Sequence, residues 1–345
     1  MKAGVKFDQG PGHFGIQDIP TPSIGDYDVL VEIKQSAVCG ADGLLYDWTY
    51  KGRFPVETPR VLGHEGSGIV AETGKNVKNV KPGDRVTVES IIGCGSCYYC
   101  QRGLSNLCPQ WDHVGITMDG TFAKYLKVVA HAVHVLPENV SFAAGALVEP
   151  LSITVNTFDN IKVCLGDTVA IIGPGVQGLI HTQAARAVGA SKVIVAGLEQ
   201  DKQRLEMAKQ FGADEIIVSD RENAVEKIMD LTQGIGADVV IEVGGTPEAF
   251  KIAFDSVRGR GQIASLGYSL HGELEPIRLA RQEIRFTGVI GSVRKHYSQA
   301  LQWLESGKVD MEALVSHRLS LDEAEKGIGL MKDRTATKVL LEIND

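Results

Sequence analysis

The pattern of apolar and polar positions changes texture twice along the chain. In the first stretch apolar residues alternate or run over strand length, in DVLVEIKQSAV (28–38), GSGIVAETG (66–74), DRVTVES (84–90) and FAKYLKVVA (122–130). Gly and Pro punctuate them at GPG, TPS, KPGD and LPEN. Short strands at this spacing, without long helical patterns, predict a β-rich barrel or sandwich.

The first change comes near Ala143. From Asp167 onward strand and helix patterns alternate: TVAIIG (168–173) before VQGLIHTQAARAVG, KVIVA (192–196) before DKQRLEMAKQFG, EIIV (215–218) before NAVEKIMDLTQ, and VVIEV (239–243) before TPEAFKIAFDSV. QIASLG and RFTGVIG supply two further strands. Such alternation predicts an α/β domain, a doubly wound parallel sheet with helices on both faces. The second change follows Gly291, where HYSQALQWLESG (296–307) reads as an amphipathic helix and KVLLEIN as a closing strand.

A length of 345 residues makes two domains the natural expectation, and 43% hydrophobic residues suffice for their cores. The net charge of -8, with no Lys/Arg cluster, speaks against nucleic acid or an anionic membrane surface as partner. No apolar run resembles a signal peptide or approaches the roughly 18 residues of a membrane span, so the cytoplasm is the expected location.

Local chemistry sharpens this picture. Gly173-Pro-Gly175-Val176-Gln177-Gly178 follows an apolar strand and opens a helix. Glycines there permit a tight turn and close approach of backbone to a pyrophosphate, which the N–H groups of the helix start would hold. In this βαβ setting the motif points to a dinucleotide. A carboxylate near the end of the next strand would hold the ribose hydroxyls, and Glu199 stands at the right distance. Glu199 favours NAD, whereas Lys202 and Arg204 would suit the 2′-phosphate of NADP.

Four of the six cysteines crowd into one short segment: Cys94, Cys97, Cys100 and Cys108. Four thiolates match tetrahedral zinc, and a closed sulfur shell leaves no position for substrate, so a structural ion is expected. Cys164, alone before the first α/β strand, reads as a packed small hydrophobe.

These motifs, with Cys39-Gly-Ala-Asp42, Gly63-His64-Glu65-Gly66, Gly68, Pro82-Gly-Asp-Arg-Val86 and Glu149-Pro150, carry a resemblance over essentially the whole chain. The sequence resembles the zinc-dependent medium-chain dehydrogenase/reductase superfamily. The resemblance implies a GroES-like β-rich catalytic domain (1–150, completed by 292–345), a Rossmann dinucleotide-binding domain (151–291), and an active site in the cleft between them. It implies two zinc ions per chain. Cys39 and His64 would hold the catalytic one, Glu65 and Glu149 would complete or exchange with its shell, and Asp42 would orient His64. An acidic residue at 149 resembles the branch of sorbitol, threonine and other polyol dehydrogenases, often tetrameric. A homo-oligomer, tetramer or dimer, is therefore expected.

The implied reaction is hydride transfer between a secondary alcohol of a polyol, sugar or hydroxy acid and a nicotinamide cofactor, with zinc stabilising the alkoxide. One departure matters. The Ser or Thr that usually relays the alcohol proton is Ala41 here, and the His of a related branch is Leu44. Glu65 or Glu149 would take over that role, ahead of Tyr46 or His113. The missing hydroxyl also leaves room for transient hydride transfer with net isomerisation or elimination. A nonenzymatic zinc- and dinucleotide-binding protein would need a degenerate catalytic shell, whereas all four of its residues are present. Trp48, Tyr50, Lys51 and Arg53 are candidates for the substrate pocket, the last two for an anionic group, with Arg294 and His296 behind them.

Overall fold

The computed structural model describes residues 1–49, 56–267 and 271–343. The chain divides into two compact units, Met1–Ser152 with Gly291–Asp345, and Ile153–Ile290.

The first unit begins with β1 (Lys2–Lys6), β2 (Phe14–Asp18), β3 (Asp28–Val38), α1 (Gly40–Tyr46), β4 (Arg60–Val61), β5 (Glu65–Thr73) and β6 (Arg85–Val88). It continues through β7 (Ile91–Ile92), β8 (Asp112–His113), β9 (Tyr125–Val129), β10 (Val133–Val135) and α2 (Phe142–Ala146); α3 (Val148–Asn160) starts in this unit and ends in the second. In β3 the alternate residues Val29, Val31 and Ile33 are fully buried, while Glu32 and Lys34 pair with each other at 2.6 Å. These side chains join Val70, Val86, Val88, Phe122, Leu126 and Val128 in one core. Each large apolar side chain so buried contributes about 1.5–3 kcal/mol.

The second unit runs β11 (Thr168–Ile172), α4 (Val176–Ala187), β12 (Lys192–Gly197), α5 (Lys202–Gln210), β13 (Glu215–Val218), α6 (Ala224–Leu231), β14 (Ala237–Glu242), α7 (Pro247–Ser256), β15 (Val257–Ser265), α8 (Pro276–Gln282) and β16 (Arg285–Gly288). Its sheet is wholly parallel, in the order β13-β12-β11-β14-β15-β16. The order reverses direction at β11, which is where a doubly wound sheet binds its ligand. Ile172, Ile194, Ile217, Val240 and Ile263 carry one side of its core.

The chain then returns to the first unit as α9 (Arg294–Glu305), β17 (Val315–Ser320), α10 (Ala324–Lys332) and β18 (Lys338–Glu342). β18 completes the main sheet, β10-β6-β5-β3-β18-β17, with β9 also on β3. Its antiparallel register on β3 pairs Val339 with Val38. The next position along therefore sets Lys338 opposite Cys39.

Fold and chemistry meet first at His181, fully buried in α4. Its Nδ1–H donates to the Gln177 carbonyl at 2.7 Å, and Nε2 lies 3.0 Å from the Thr157 hydroxyl. Burial lowers its pKa to about 4, the carbonyl offsetting only part of that. An unfolded chain takes up this proton near pH 6.5. The neutral imidazole's contribution is thus complete above pH 6.5 and is lost as pH falls from 6.5 toward 4, by about 2 kcal/mol at pH 4.5. Melting curves between pH 7.5 and 4.5 should show a smaller acid loss for His181→Gln than for the wild type. Parallel curves would contradict this linkage.

Candidate metal and dinucleotide sites

Cys39 ends the central strand β3 and caps α1. Its backbone N–H donates to Asp42 Oδ2 at 2.8 Å, and Asp42 Oδ1 accepts from the Gly63 N–H at 3.2 Å. One buried carboxylate thus ties the start of α1 to the turn that delivers His64 and Glu65 at the head of β5. The result is a sulfur, an imidazole nitrogen and a carboxylate oxygen all within 4.8 Å of one another, from Cys39, His64 and Glu65.

Two atoms of this cluster, His64 Nδ1 and Glu65 Oε2, are buried without a hydrogen-bond partner among the described residues. An orphaned buried polar group costs about 1–3 kcal/mol, and native proteins seldom leave two side by side. A divalent cation would remove that cost at Glu65 Oε2, whereas His64 Nδ1 faces Asp42 Oδ1 at 3.7 Å, and a mixed S, N, O donor set suits zinc. The residues present fit the ion.

The surroundings are strongly charged. Burial alone would push His64 down, but the Cys39 sulfur, Asp42 and Glu149 outweigh it and hold its pKa well above the ordinary value. Burial raises the Asp42 carboxyl, with His64 opposing. Burial likewise raises Glu149, and Glu65 adds to the effect. Lys338, 1% exposed, contacts Glu65 Oε1 at 2.7 Å, and the Glu65, Cys39 and Glu149 charges keep it cationic against its own burial. Glu65 therefore spends one oxygen on an internal cation and presents the other. Lys338 carries no motif; a lysine at the start of a closing strand gives no warning of this.

Glu149 stands in the first turn of α3, outside the three-residue cluster. Its Oε1 accepts the Ser90 hydroxyl at 2.8 Å. Asp42 Oδ1 lies 3.7 Å from His64 Nδ1, a contact of charges and not a hydrogen bond, because the carboxylate's hydrogen bonds go to backbone amides.

Beside His64 stands His113, ring centroids 5.2 Å apart. Its Nδ1–H donates to the Val114 carbonyl at 2.7 Å, and burial, with His64 adding, lowers its pKa to about 3. Tyr46 points elsewhere, donating to Glu325 at 2.7 Å on the exposed side of α10. Trp48 lies against the Lys6 ammonium, 5.6 Å from the ring centroid. Tyr50, Lys51 and Arg53 lie outside the described residues. Arg294 is engaged with Glu89 at 3.4 Å and the His131 carbonyl, and His296 Nδ1 accepts the Val293 N–H at 3.1 Å to close the first turn of α9.

The second cluster gathers Cys94, Cys97, Cys100 and Cys108, their sulfurs within 4.8 Å and none in a disulfide. Backbone N–H groups of Cys94 and Gln110 point at Cys108 Sγ (3.4 and 3.3 Å), and that of Cys100 at Cys97 Sγ (3.5 Å). Hydrogen bonds from Ser96 lower Cys94 to about 6, whereas desolvation and the neighbouring thiols push Cys100 up to about 12. Without a cation the four cannot all ionise; with one they form a closed shell. Cys164 departs from expectation. It is exposed, held in a tight turn where its N–H donates to Asp167 Oδ2 at 2.7 Å.

In the second unit the glycine loop joins β11 to α4. Gly173 has φ +111°, a conformation that disfavours a side chain, and a Cβ on Gly178 would sit 1.9 Å from the Gly173 carbonyl oxygen. A Cβ on Gly175 would meet nothing within 4 Å. Gly175 caps α4, and the backbone of Val176, Gln177 and Gly178 forms the first turn of that helix. Such a glycine turn at a helix start suits a pyrophosphate.

Past β12, Glu199 N–H donates to Asp220 Oδ1 at 2.9 Å, and Glu199 Oε2 lies 3.5 Å from Arg221 Nε. Arg204 is largely buried, 3.8 Å from Asp201. Arg221 thus lies beside Glu199. It sits in the turn after β13, where no motif marks it.

A parallel sheet with this loop, and a β-rich unit holding a buried S, N, O cluster plus a four-thiol lobe, define a metal- and dinucleotide-dependent oxidoreductase. Comparison with known proteins agrees. Residues 25–138 match the alcohol dehydrogenase GroES-like domain and residues 177–306 the zinc-binding dehydrogenase domain. The chain is 37% identical to a sorbitol dehydrogenase of Halalkalibacterium halodurans, over 99% of each chain. It is 36% identical to an L-threonine 3-dehydrogenase of Bacillus velezensis, over 99% of this chain and 98% of the other. Among solved structures, a zinc-binding dehydrogenase from Sinorhizobium meliloti bound to NADP superposes with a TM-score of 0.91 at 31% identity, covering 99% of both chains. The protein belongs to the zinc-dependent medium-chain dehydrogenase/reductase superfamily, in its polyol dehydrogenase-like branch, and is an NAD(P)-dependent zinc alcohol dehydrogenase.

Proposed function

We propose that this enzyme oxidises a secondary alcohol of a polyol, sugar or hydroxy acid with NAD, binding two zinc ions per chain. The observation that carries the reading is the Cys39–His64–Glu65 cluster with the orphaned Glu65 Oε2. Zinc at that cluster would act as a Lewis acid on the substrate oxygen. Cys39 and His64 hold the ion. Glu65, with Oε1 on Lys338, would present Oε2 alone to it.

Ala41 and Leu44 have no group to carry the alcohol proton. Glu149 takes it at Oε2, since Oε1 is committed to Ser90. Burial, with the Glu65 charge, raises this carboxyl above the ordinary range, which makes it a better proton acceptor than a free carboxylate. His113, fixed as the Nδ1–H tautomer by Val114, keeps Nε2 as an acceptor for a second substrate hydroxyl. That supports a polyhydroxylated substrate over a simple alcohol.

Glu199 favours NAD: its carboxylate suits a ribose diol, and it already occupies Arg221, the guanidinium that would otherwise attract a 2′-phosphate. Six free cysteines suit a reducing cytoplasm, and a dimer or tetramer is the assembly proposed.

The purified enzyme should be assayed against polyols, sugars and sugar acids with both cofactors. The reading expects one NADH per oxidised product, preference for substrates with neighbouring hydroxyls, and a preference for NAD that Glu199→Ala shifts toward NADP by about tenfold or more. Turnover without net NADH, or a strong wild-type preference for NADP, would overturn it.

A further inference from the structure

A chain of buried polar residues runs away from Glu149, and beyond Ser90 it takes no part in the chemistry above. Ser90 lies just past the end of β6, 1% exposed. Its carbonyl accepts the Val114 N–H at 2.9 Å, and its own N–H donates to the Tyr297 hydroxyl at 3.0 Å. Clamped on both sides, Ser90 has its hydroxyl directed at Glu149 Oε1. Tyr297 comes from α9, in the segment that returns to this unit more than 200 residues later, and is itself 1% exposed. Its ring stacks on His134 with centroids 5.2 Å apart and planes 14° from parallel. His134 Nε2 in turn lies 2.7 Å from Glu89 Oε1, which Arg294 also approaches at 3.4 Å.

We propose that Tyr297 is a positioning residue for Glu149: its hydroxyl holds the Ser90 amide so that the Ser90 side chain fixes one carboxylate oxygen and leaves the other to take the substrate proton beside the Cys39–His64–Glu65 cluster. This rests on the role given to Glu149 above. Three features support it. The Ser90 amide stands beyond the ladder of β6, so Tyr297 is the partner that keeps it from being a buried orphan. The ring cannot swing away, because His134, fixed by Glu89, lies flat against it. And Ser90, with one proton to give, can restrain only one of the two carboxylate oxygens. Residues of this kind around a metal site commonly set affinity and rate without touching the ion.

Tyr297→Phe keeps the ring and its stack on His134 and removes only the oxygen. In the full-length enzyme with cobalt in the Cys39–His64 site, this variant should change the visible absorption of the metal and speed its extraction by a chelator about tenfold. Turnover with zinc should fall about tenfold while KM for NAD holds. Ser90→Ala should do the same, and the double variant should be no worse than either single one, because both act along one path. Additive losses, or a Tyr297→Phe enzyme with unchanged cobalt spectrum and extraction rate, would overturn the proposal. Glu149→Gln separates the two layers. If it shifts the cobalt spectrum and Tyr297→Phe does not, only the role of Tyr297 falls. If it leaves both the cobalt spectrum and turnover unchanged, the reading of Glu149 fails and the proposal with it.

Discussion

Cys39→Ser should lower turnover roughly 1000-fold or more while the protein still folds and still binds NAD. The substitution replaces a thiolate by a hydroxyl that stays protonated at neutral pH, so one of the anchors of the cluster no longer carries charge. Lewis-acid stabilisation of a developing alkoxide is worth several kcal/mol, and each 1.4 kcal/mol is tenfold in rate. The dinucleotide loop lies in the other unit, on β11 and α4, and owes nothing to Cys39. Fluorescence titration with NADH should therefore give an unchanged Kd beside the collapsed kcat. A variant retaining a tenth of wild-type activity would show that Cys39 does not hold the reacting ion.

The second large effect is on stability. Cys100→Ser should release the ion of the four-thiol lobe and destabilise the first unit by several kcal/mol, lowering Tm by on the order of 10 °C. The lobe has little else to hold it. Between Cys94 and Cys108 the described secondary structure is two short 3-10 turns, Cys100–Arg102 and Ser105–Leu107, with no residue of either buried. Tyr98, Tyr99, Leu104 and Leu107 are exposed, so no apolar core substitutes for the metal. Scanning calorimetry with zinc quantification would check this, together with limited proteolysis, which should cut between residues 94 and 108 in the variant alone. An unaltered Tm with one thiol missing would mean that the lobe folds without its ion.

What the amino-acid pattern revealed divides by range. Elements whose logic is local were readable. The alternating apolar run 28–38 coincides with β3, and the glycine loop falls between β11 and α4 as its spacing requires. The four cysteines identified their own cluster because they are neighbours in sequence as well as in space. By contrast β1, β2, α8 and α10 are too short or too weakly patterned to stand out.

The cation cluster was readable only through resemblance, since Cys39 and His64 are 25 positions apart and neither is unusual alone. Its supports were not readable at all. Lys338 reaches Glu65 across 273 positions, and Tyr297 reaches Ser90 across 207. Such pairings are made by the return of the chain to its first unit, and local pattern holds no trace of them. Cys164 shows the converse. A lone cysteine is usually buried, but the turn that Asp167 imposes carries this one to the surface.

Elemental analysis of pure, active protein tests the central claim most directly. The account predicts two zinc ions per chain, and one in Cys39→Ser, with the remaining ion lost only when the four-thiol lobe is altered. A single ion in the fully active wild type, abolished by Cys100→Ser and untouched by Cys39→Ser, would contradict it.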